Sequence, residues 1–195
     1  MNDVIAADGN VVIRRMRDDP DDYRLIVSWR NQPHVREWWD PDDPPLTIEA
    51  AVEELRPSTQ PAGSDVASII EVGGAPVGYL QFYPWDAEQD YLAEVGITVP
   101  EGAWGLDIFI GERSLMDRGI GSRTVRLISD HLFAEHDATA VALATEVGNS
   151  RAQAAYVRAG MRVLEQFLDT DTRDGRRVES VLMIRDRPDG TAGGR

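Results

Sequence analysis

The sequence predicts an α/β protein with a mixed sheet and helices on both faces, and three observations carry that expectation. An apolar run, Leu106 to Ile110, leads through a glycine-bearing turn, Arg118-Gly119-Ile120-Gly121-Ser122, into an amphipathic helix. The buried stripe of that helix is Val125, Leu127, Ile128, Leu132 and Phe133. Thr139 to Thr145 (TAVALAT) has the unbroken apolar character of a strand covered on both faces, as parallel strands are. Two pairs of alternating segments read as antiparallel hairpins: Val66–Val72 with Pro76–Pro84 across Gly73-Gly74, and Arg162–Asp169 with Arg177–Ile184 across Asp174-Gly175. Strands of both senses separated by helices make a mixed sheet.

The remaining elements follow in order. Val11 to Met16 reads as the first strand, and the aspartates from Asp18 to Asp22 supply N-cap chemistry for a helix over Tyr23 to Asn31. After Pro33 the stretch HVREWWD sets Trp38 and Trp39 against an acidic, proline-rich segment, Asp40 to Pro45, in or beside a loop. Thr47 caps a helix that runs to Leu55 and that Pro57 should stop. Trp85 to Trp104 is the longest irregular segment. It holds Asp86, Glu88, Asp90, Glu94 and Glu101 with no basic residue and leads directly into Asp107. A solvated loop would account for it, but the favoured reading is an acidic loop that draws in a substrate bearing several ammonium groups. Asn149 or Ser150 caps a helix ending at Ala159-Gly160. The order is β-α-α-β-β-β-α-β-α-β-β, one domain over residues 1–186, with residues 187–195 expected to be a disordered tail.

Composition narrows the function. The 195 residues carry 34 acidic against 20 basic side chains, a net charge of −14. Such a field repels nucleic acid and anionic membranes and attracts a polycationic small molecule. Solubility or a salt-adapted host would also account for it. Without cysteine there is no disulfide, thiolate metal site or cysteine nucleophile. No apolar run is long enough for a membrane span and the N-terminus does not read as a signal peptide, so a cytoplasmic address is expected. His34, His131 and His136 lack ligand spacing and read as surface residues, so no metal is expected. A monomer or a homodimer is compatible with all of this.

Gly119 and Gly121 let backbone N–H groups approach an anion at a helix N-terminus, where the partial positive charge favours a phosphate. Arg118 and Arg123 could add countercharge. Structural capping alone also explains such turns. The spacing is neither a Walker loop nor a dinucleotide fingerprint. Asp107 is an isolated carboxylate in an apolar strand, either an edge residue or a group that binds and deprotonates an amine. Val77, Tyr79, Gln81 and Tyr83 share one strand face. Tyr156 lies seven residues past Asn149, on nearly the same helix face, and reads equally as a core aromatic or a proton donor.

GLDIFIGE, DRGIGSR and NSRAQAAYVRAGM together resemble the acetyl-CoA-binding half of the GNAT N-acyltransferases. With HVREWWD and VGYLQFY, the chain is most similar within that superfamily to the aminoglycoside 6'-N-acetyltransferases, over roughly Val12 to Arg185. The resemblance implies the GNAT fold, whose sheet splays at the cofactor strand. In it Ile108, Phe109 and Ile110 pair with the pantetheine of coenzyme A, and Arg118, Gly119, Ile120, Gly121, Ser122 and Arg123 hold its pyrophosphate. Asn149 would hydrogen-bond the cofactor. Asp107 would receive the acceptor amine, Tyr156 would protonate the leaving sulfur, and a backbone N–H near Phe109 or Ile110 would hold the oxyanion. Trp38, Trp39, Asp40, Gln81, Tyr83 and Asp107 would line the acceptor site.

Two positions depart from that pattern. Met116 stands where a Gln or Arg is usual, and Ala144-Thr145 stands where relatives carry Asp-Pro, an aspartate that binds acceptor amines. Glu146 is the candidate replacement. The expected activity is acetyl transfer to the 6'-amine of aminoglycosides, conferring resistance. The alternatives are acylation of another small amine or a lysine, as in siderophore assembly, and a non-catalytic protein that binds cationic drugs.

Overall fold

The computed structural model describes residues 3–39, 43–60, 64–170 and 177–188. Eight strands form one sheet in the order β1-β2-β3-β4-β5-β6-β8-β7. They are β1 (Val4–Asp8), β2 (Val11–Arg15), β3 (Val66–Val72), β4 (Ala75–Pro84), β5 (Trp104–Ile110), β6 (Ala140–Glu146), β7 (Arg162–Thr170) and β8 (Arg177–Asp186). Every pairing is antiparallel except β5 with β6. The helices are α1 (Pro20–Arg30), α2 (Pro33–Arg36), α3 (Ile48–Thr59), α4 (Gln89–Val95), α5 (Ile120–Glu135) and α6 (Ser150–Arg158).

Strand alternation sorts the core into two faces. Val11, Ile13, Leu80, Phe82, Leu106, Val141 and Leu143 pack beneath α5 through Val125, Ile128 and Leu132. On the other face Ala67, Ile69, Tyr79 and Phe109 meet Tyr23, Ile26 and Trp29 of α1 and Ala51 and Leu55 of α3. A third cluster seats Leu92 of α4 and Trp85 over Ala140, Ala142, Leu182 and Ile184. The expected mixed sheet with helices on both faces is therefore present.

The decisive feature for function is a divergence. β4 and β5 pair through seven registered positions, from Pro84↔Trp104 to Gly78↔Ile110. β5 and β6 pair only at Trp104↔Val141 and Gly105↔Ala142, then separate. Gly105, at the apex, is required by close approach, since a Cβ there would lie 2.4 Å from the Tyr83 ring. Beyond it, the β6-facing edge of β5 runs without a strand partner.

Four sequence expectations need correction. An additional strand, β1, precedes the expected first strand; it is a short edge strand with irregular register, and VIAAD carries little alternation. Pro57 does not stop α3, which continues to Thr59. Its ring removes one donor near the helix end, where the carbonyl of the exposed Glu53 can turn to water. Trp85 to Trp104 is not irregular throughout: a 3₁₀ turn over Trp85–Ala87 and the helix α4 pack its apolar residues against the sheet. Arg187 is not free either. Its N–H donates to the Thr139 carbonyl and its side chain pairs with Asp137 at 3.5 Å. The Asp174-Gly175 turn and residues 189–195 lie outside the described residues.

Candidate functional site

The gap between β5 and β6 opens into a cleft of about 950 Å³, within the range that holds a drug-sized ligand. One end is formed by the turn into α5. Gly119 takes φ +77°, a left-handed conformation that suits glycine, and stands as the N-cap of the 16-residue helix α5. No hydrogen bond within the protein engages the N–H groups of Ile120, Gly121 or Ser122 among the described residues. They are the orphan donors of a helix start. At Gly121 a Cβ would meet nothing within 4 Å, so the glycine leaves open space at the cleft wall. Ser122 spends its hydroxyl on the Gly119 carbonyl at 3.0 Å, which tightens the turn. Asp117, also lining the cleft, holds φ 60°, unusual for a residue with a side chain.

The free edge of β5 continues from that turn. Gly111 donates its N–H to Val77 of β4. Because successive residues in an antiparallel strand point their peptide groups to opposite sides, Gly111, Phe109 and Asp107 face β4, whereas Ile110 and Ile108 face the gap. This corrects the expectation for Phe109. Its backbone belongs to the β4 ladder, and its ring packs edge-on against Trp39 with centroids 5.0 Å apart and stacks on Tyr79 at 5.5 Å. The backbone groups open to a partner are those of Ile108 and the N–H of Ile110.

Asp107 stands opposite Gln81 in register. The Gln81 amide donates to Asp107 Oδ2 at 2.8 Å and accepts from the Tyr79 hydroxyl, also at 2.8 Å. Tyr79 is 1% exposed, so this chain of bonds fixes the carboxylate from a buried anchor. Tyr83, the next residue on that face, lines the cleft as well. Tyr156 projects from α6 into the cleft and packs with the α5-side core, while Asp107 lies on the face shared with Phe109 and Tyr79. Burial and the Asp107 charge push the Tyr156 phenol well above its ordinary value, so it stays protonated. Asn149 caps α6, its side-chain oxygen accepting from the Ala152 N–H at 3.1 Å, and borders the same cleft.

Around Asp107 the wall is acidic. Glu88, Glu146 and Asp169 line it, with Asp43 and Glu54 at its α2–α3 side. Tyr91 donates to Asp169 at 3.0 Å, and Arg30 neutralises Glu54 at 2.7 Å. Of the five acids between Trp85 and Trp104, only Glu88 reaches this cleft; Asp86 and Glu101 border a separate, shallower hollow. Asp169 was missed because its contact with Tyr91 spans 78 residues of sequence. Trp38 lines the cleft with its ring end beside Gly148, whose Cβ would lie 3.7 Å away. Trp39 is the more structural of the pair, with Arg30 6.0 Å from its ring. Asp40 lies outside the described residues. Ala144, Thr145 and Glu146 follow one another along the β6 side.

Two expectations about basic residues change, and one basic residue is new to the site. Arg123 does not face the turn: its guanidinium binds the Asp8 carbonyl at 2.7 Å and Asn10 at 3.1 Å, locking α5 to the β1–β2 hairpin. Arg118 is exposed beside the turn and has no protein partner among the described residues. Arg151, which sequence reading passed over, lines the cleft with Nη1 4.0 Å from the Met116 sulfur. His34 is not a surface residue: its Nε2 lies 3.2 Å from the Ile110 carbonyl, inside the cleft wall. His131 and His136 sit side by side, ring centroids 5.5 Å apart, at the far end of α5. Among the described residues no cluster of three or more His, Asp or Glu is placed to hold a metal ion, and no helix is long and apolar enough to cross a membrane.

Orphan N–H donors at a helix start, a strand edge left open, and a carboxylate and a protonated tyrosine lining one cleft suit a phosphate-bearing acyl thioester and an amine. Comparison with known proteins agrees. The model of the acetyltransferase (GNAT) domain matches residues 18–168. An aminoglycoside N(6')-acetyltransferase type 1 of Klebsiella pneumoniae is 26% identical over 192 residues, spanning 94% of this chain and 87% of that one. The structure of AAC(6')-Ib with paromomycin and acetyl-CoA superposes with a TM-score of 0.76 at 27% identity, over 92% of this chain and 94% of that one. The same enzyme with coenzyme A and kanamycin gives 0.74 at 26%, over 91% and 95%. The chain belongs to the GNAT acetyltransferase family.

Proposed function

We propose that this chain transfers an acetyl group from acetyl-CoA to the 6'-amine of aminoglycosides by direct attack of the amine, and that its biological effect is resistance to those drugs. The observation that carries this reading is the Tyr79–Gln81–Asp107 chain set in an acid-lined cleft beside the open edge of β5. The relatives named above support the choice of donor and acceptor.

The residues fit coenzyme A. The N–H groups of Ile120, Gly121 and Ser122 hold its pyrophosphate, in the space that a Cβ at Gly121 would fill. Arg118 and Arg151 supply countercharge at the lip. Ile108 and Ile110 pair with the pantetheine arm, and Asn149 reaches it from α6. The bound cofactor supplies an activated acyl group whose carbon is open to an amine.

Asp107 binds the incoming ammonium and accepts its proton. The hydrogen bond from Gln81 to this charged group, of a kind worth about 1.5–3 kcal/mol, holds the carboxylate plane. An Ile108 or Ile110 N–H holds the negative charge that develops on the acyl oxygen. Tyr156, on the opposite side of the splayed strand, gives its proton to the departing sulfur. Glu88, Glu146 and Asp169 draw the remaining ammonium groups of the acceptor, and the Trp38 face lies alongside its rings. Glu146 takes the place of the aspartate that Ala144 lacks. Its longer side chain enters from two residues further along β6, so acceptor preference should differ from that of relatives.

Nuclear magnetic resonance of the product formed from kanamycin and acetyl-CoA tests the regiochemistry. A single acetamide at the 6' nitrogen supports the reading. Acetylation at a ring amine, or of lysine in preference to kanamycin, would replace it.

A further inference from the structure

The cleft wall contains a contact that the reaction as described does not use. His34 is the second residue of the four-residue helix α2, and its Nε2 meets the backbone carbonyl of Ile110, 76 residues away, at 3.2 Å. A carbonyl only accepts, so Nε2 carries the proton of this contact. Nδ1 is buried and has no hydrogen-bond partner. The imidazole therefore has one polar engagement in the protein, and it is made to the last residue of β5.

That carbonyl is a special one. Ile110 faces the gap where β6 has departed, so its C=O would otherwise end the open edge as an unpaired acceptor. We propose that His34 is a positioning residue for the cofactor strand, an inference that rests on reading the cleft as a coenzyme A site. By holding the Ile110 carbonyl it fixes the far end of β5. It also occupies the Ile110 acceptor on the open edge, which favours pairing of the pantetheine arm with the Ile108 groups and the Ile110 N–H. The same bond ties that strand to the segment carrying Trp38 and Trp39, so the acceptor wall and the cofactor strand are set at one distance from each other.

The test compares wild type, His34→Ala and His34→Gln by calorimetric binding of coenzyme A, by KM and kcat for acetyl-CoA, and by thermal melting. A glutamine can place its Nε2 donor near where the imidazole Nε2 stands. His34→Ala should weaken coenzyme A binding and raise the acetyl-CoA KM by about 3–10-fold, the scale of one hydrogen bond. It should leave kcat within about twofold, and His34→Gln should restore most of the loss. Acetyl-pantetheine, which lacks the nucleotide phosphates, should suffer the same fold-change, because the bond acts on the arm and not on the phosphate turn. Wild-type-like binding by His34→Ala would overturn this proposal alone. So would a loss that His34→Gln shares together with a fallen melting temperature, which would make the ring simple packing. Failure of the wild type to bind coenzyme A would overturn the cofactor reading and this proposal with it.

Discussion

The two halves of the cleft are built from different materials. The half proposed for the cofactor is mostly backbone: the free edge of β5 and the first N–H groups of α5, with glycines where side chains would intrude. The half proposed for the acceptor is mostly side chain: Trp38, Gln81, Glu88, Asp107, Glu146 and Asp169, gathered from six separate segments. Backbone groups exist whatever the residue, so the first half does not need a polar side chain at Met116. Side-chain walls have no such reserve: along β6 the wall is uncharged at Ala144 and Thr145 and becomes acidic only at Glu146. On the proposed reading, donor and acceptor specificity can drift independently in this architecture.

That division can be broken most severely at Asp107. Asp107→Asn should lower kcat by about 10²–10³-fold, within the usual range for a positioned base. Coenzyme A binding measured by calorimetry should stay unchanged, because the carboxylate faces the acceptor. Loss of cofactor binding in this variant would erase the distinction between the halves. Tyr156→Phe should cost about 10–10²-fold in kcat. Because burial and Asp107 raise the Tyr156 phenol above its ordinary value, the wild-type pH–rate profile should show no tyrosine ionisation between pH 8 and 10. A fall in that window that vanishes in Tyr156→Phe would contradict the assignment.

The cofactor half should yield to bulk and not to charge. Gly121→Val fills open space and should raise the acetyl-CoA KM by about tenfold, roughly 1.4 kcal/mol, with little change in melting temperature. Glu146→Gln should raise the aminoglycoside KM by about threefold and leave the acetyl-CoA KM alone, as expected for one partly exposed charge. The smallest effect lies outside the cleft. Burial lowers the His131 and His136 imidazoles below their ordinary value, so the native state binds fewer protons than the unfolded chain. Their contribution to stability is complete above about pH 6.5 and is lost as pH falls through the lowered values. Melting temperature should drop between pH 7 and 5, and less so in a His131→Gln, His136→Gln double variant.

The cofactor half was legible because its parts lie on one continuous stretch, from Trp104 to Phe133, where periodicity and glycine placement act locally. The Gln81–Asp107 bond was half legible: each residue announced itself, while their pairing needed the β4–β5 register. Arg123 shows how one omission breeds another. Position four of α5 points toward the β1–β2 hairpin, and without β1 in view the guanidinium had nowhere to go except the phosphate turn. The acids between Trp85 and Trp104 misled for a related reason. Charge density says that a segment is acidic, but the packing of Trp85 and Leu92 decides which carboxylates face the cleft. His34 carried no local signal at all, since its partner is a backbone carbonyl 76 residues away.

The most direct measurement is thiol release from acetyl-CoA with kanamycin, tobramycin, gentamicin C1a, lysine and spermidine offered separately to wild type and Asp107→Asn. Turnover with the three drugs alone, abolished in the variant, is the predicted result. Turnover confined to lysine or spermidine would contradict the acceptor assignment, and turnover undiminished in Asp107→Asn would contradict the chemistry proposed for the cleft.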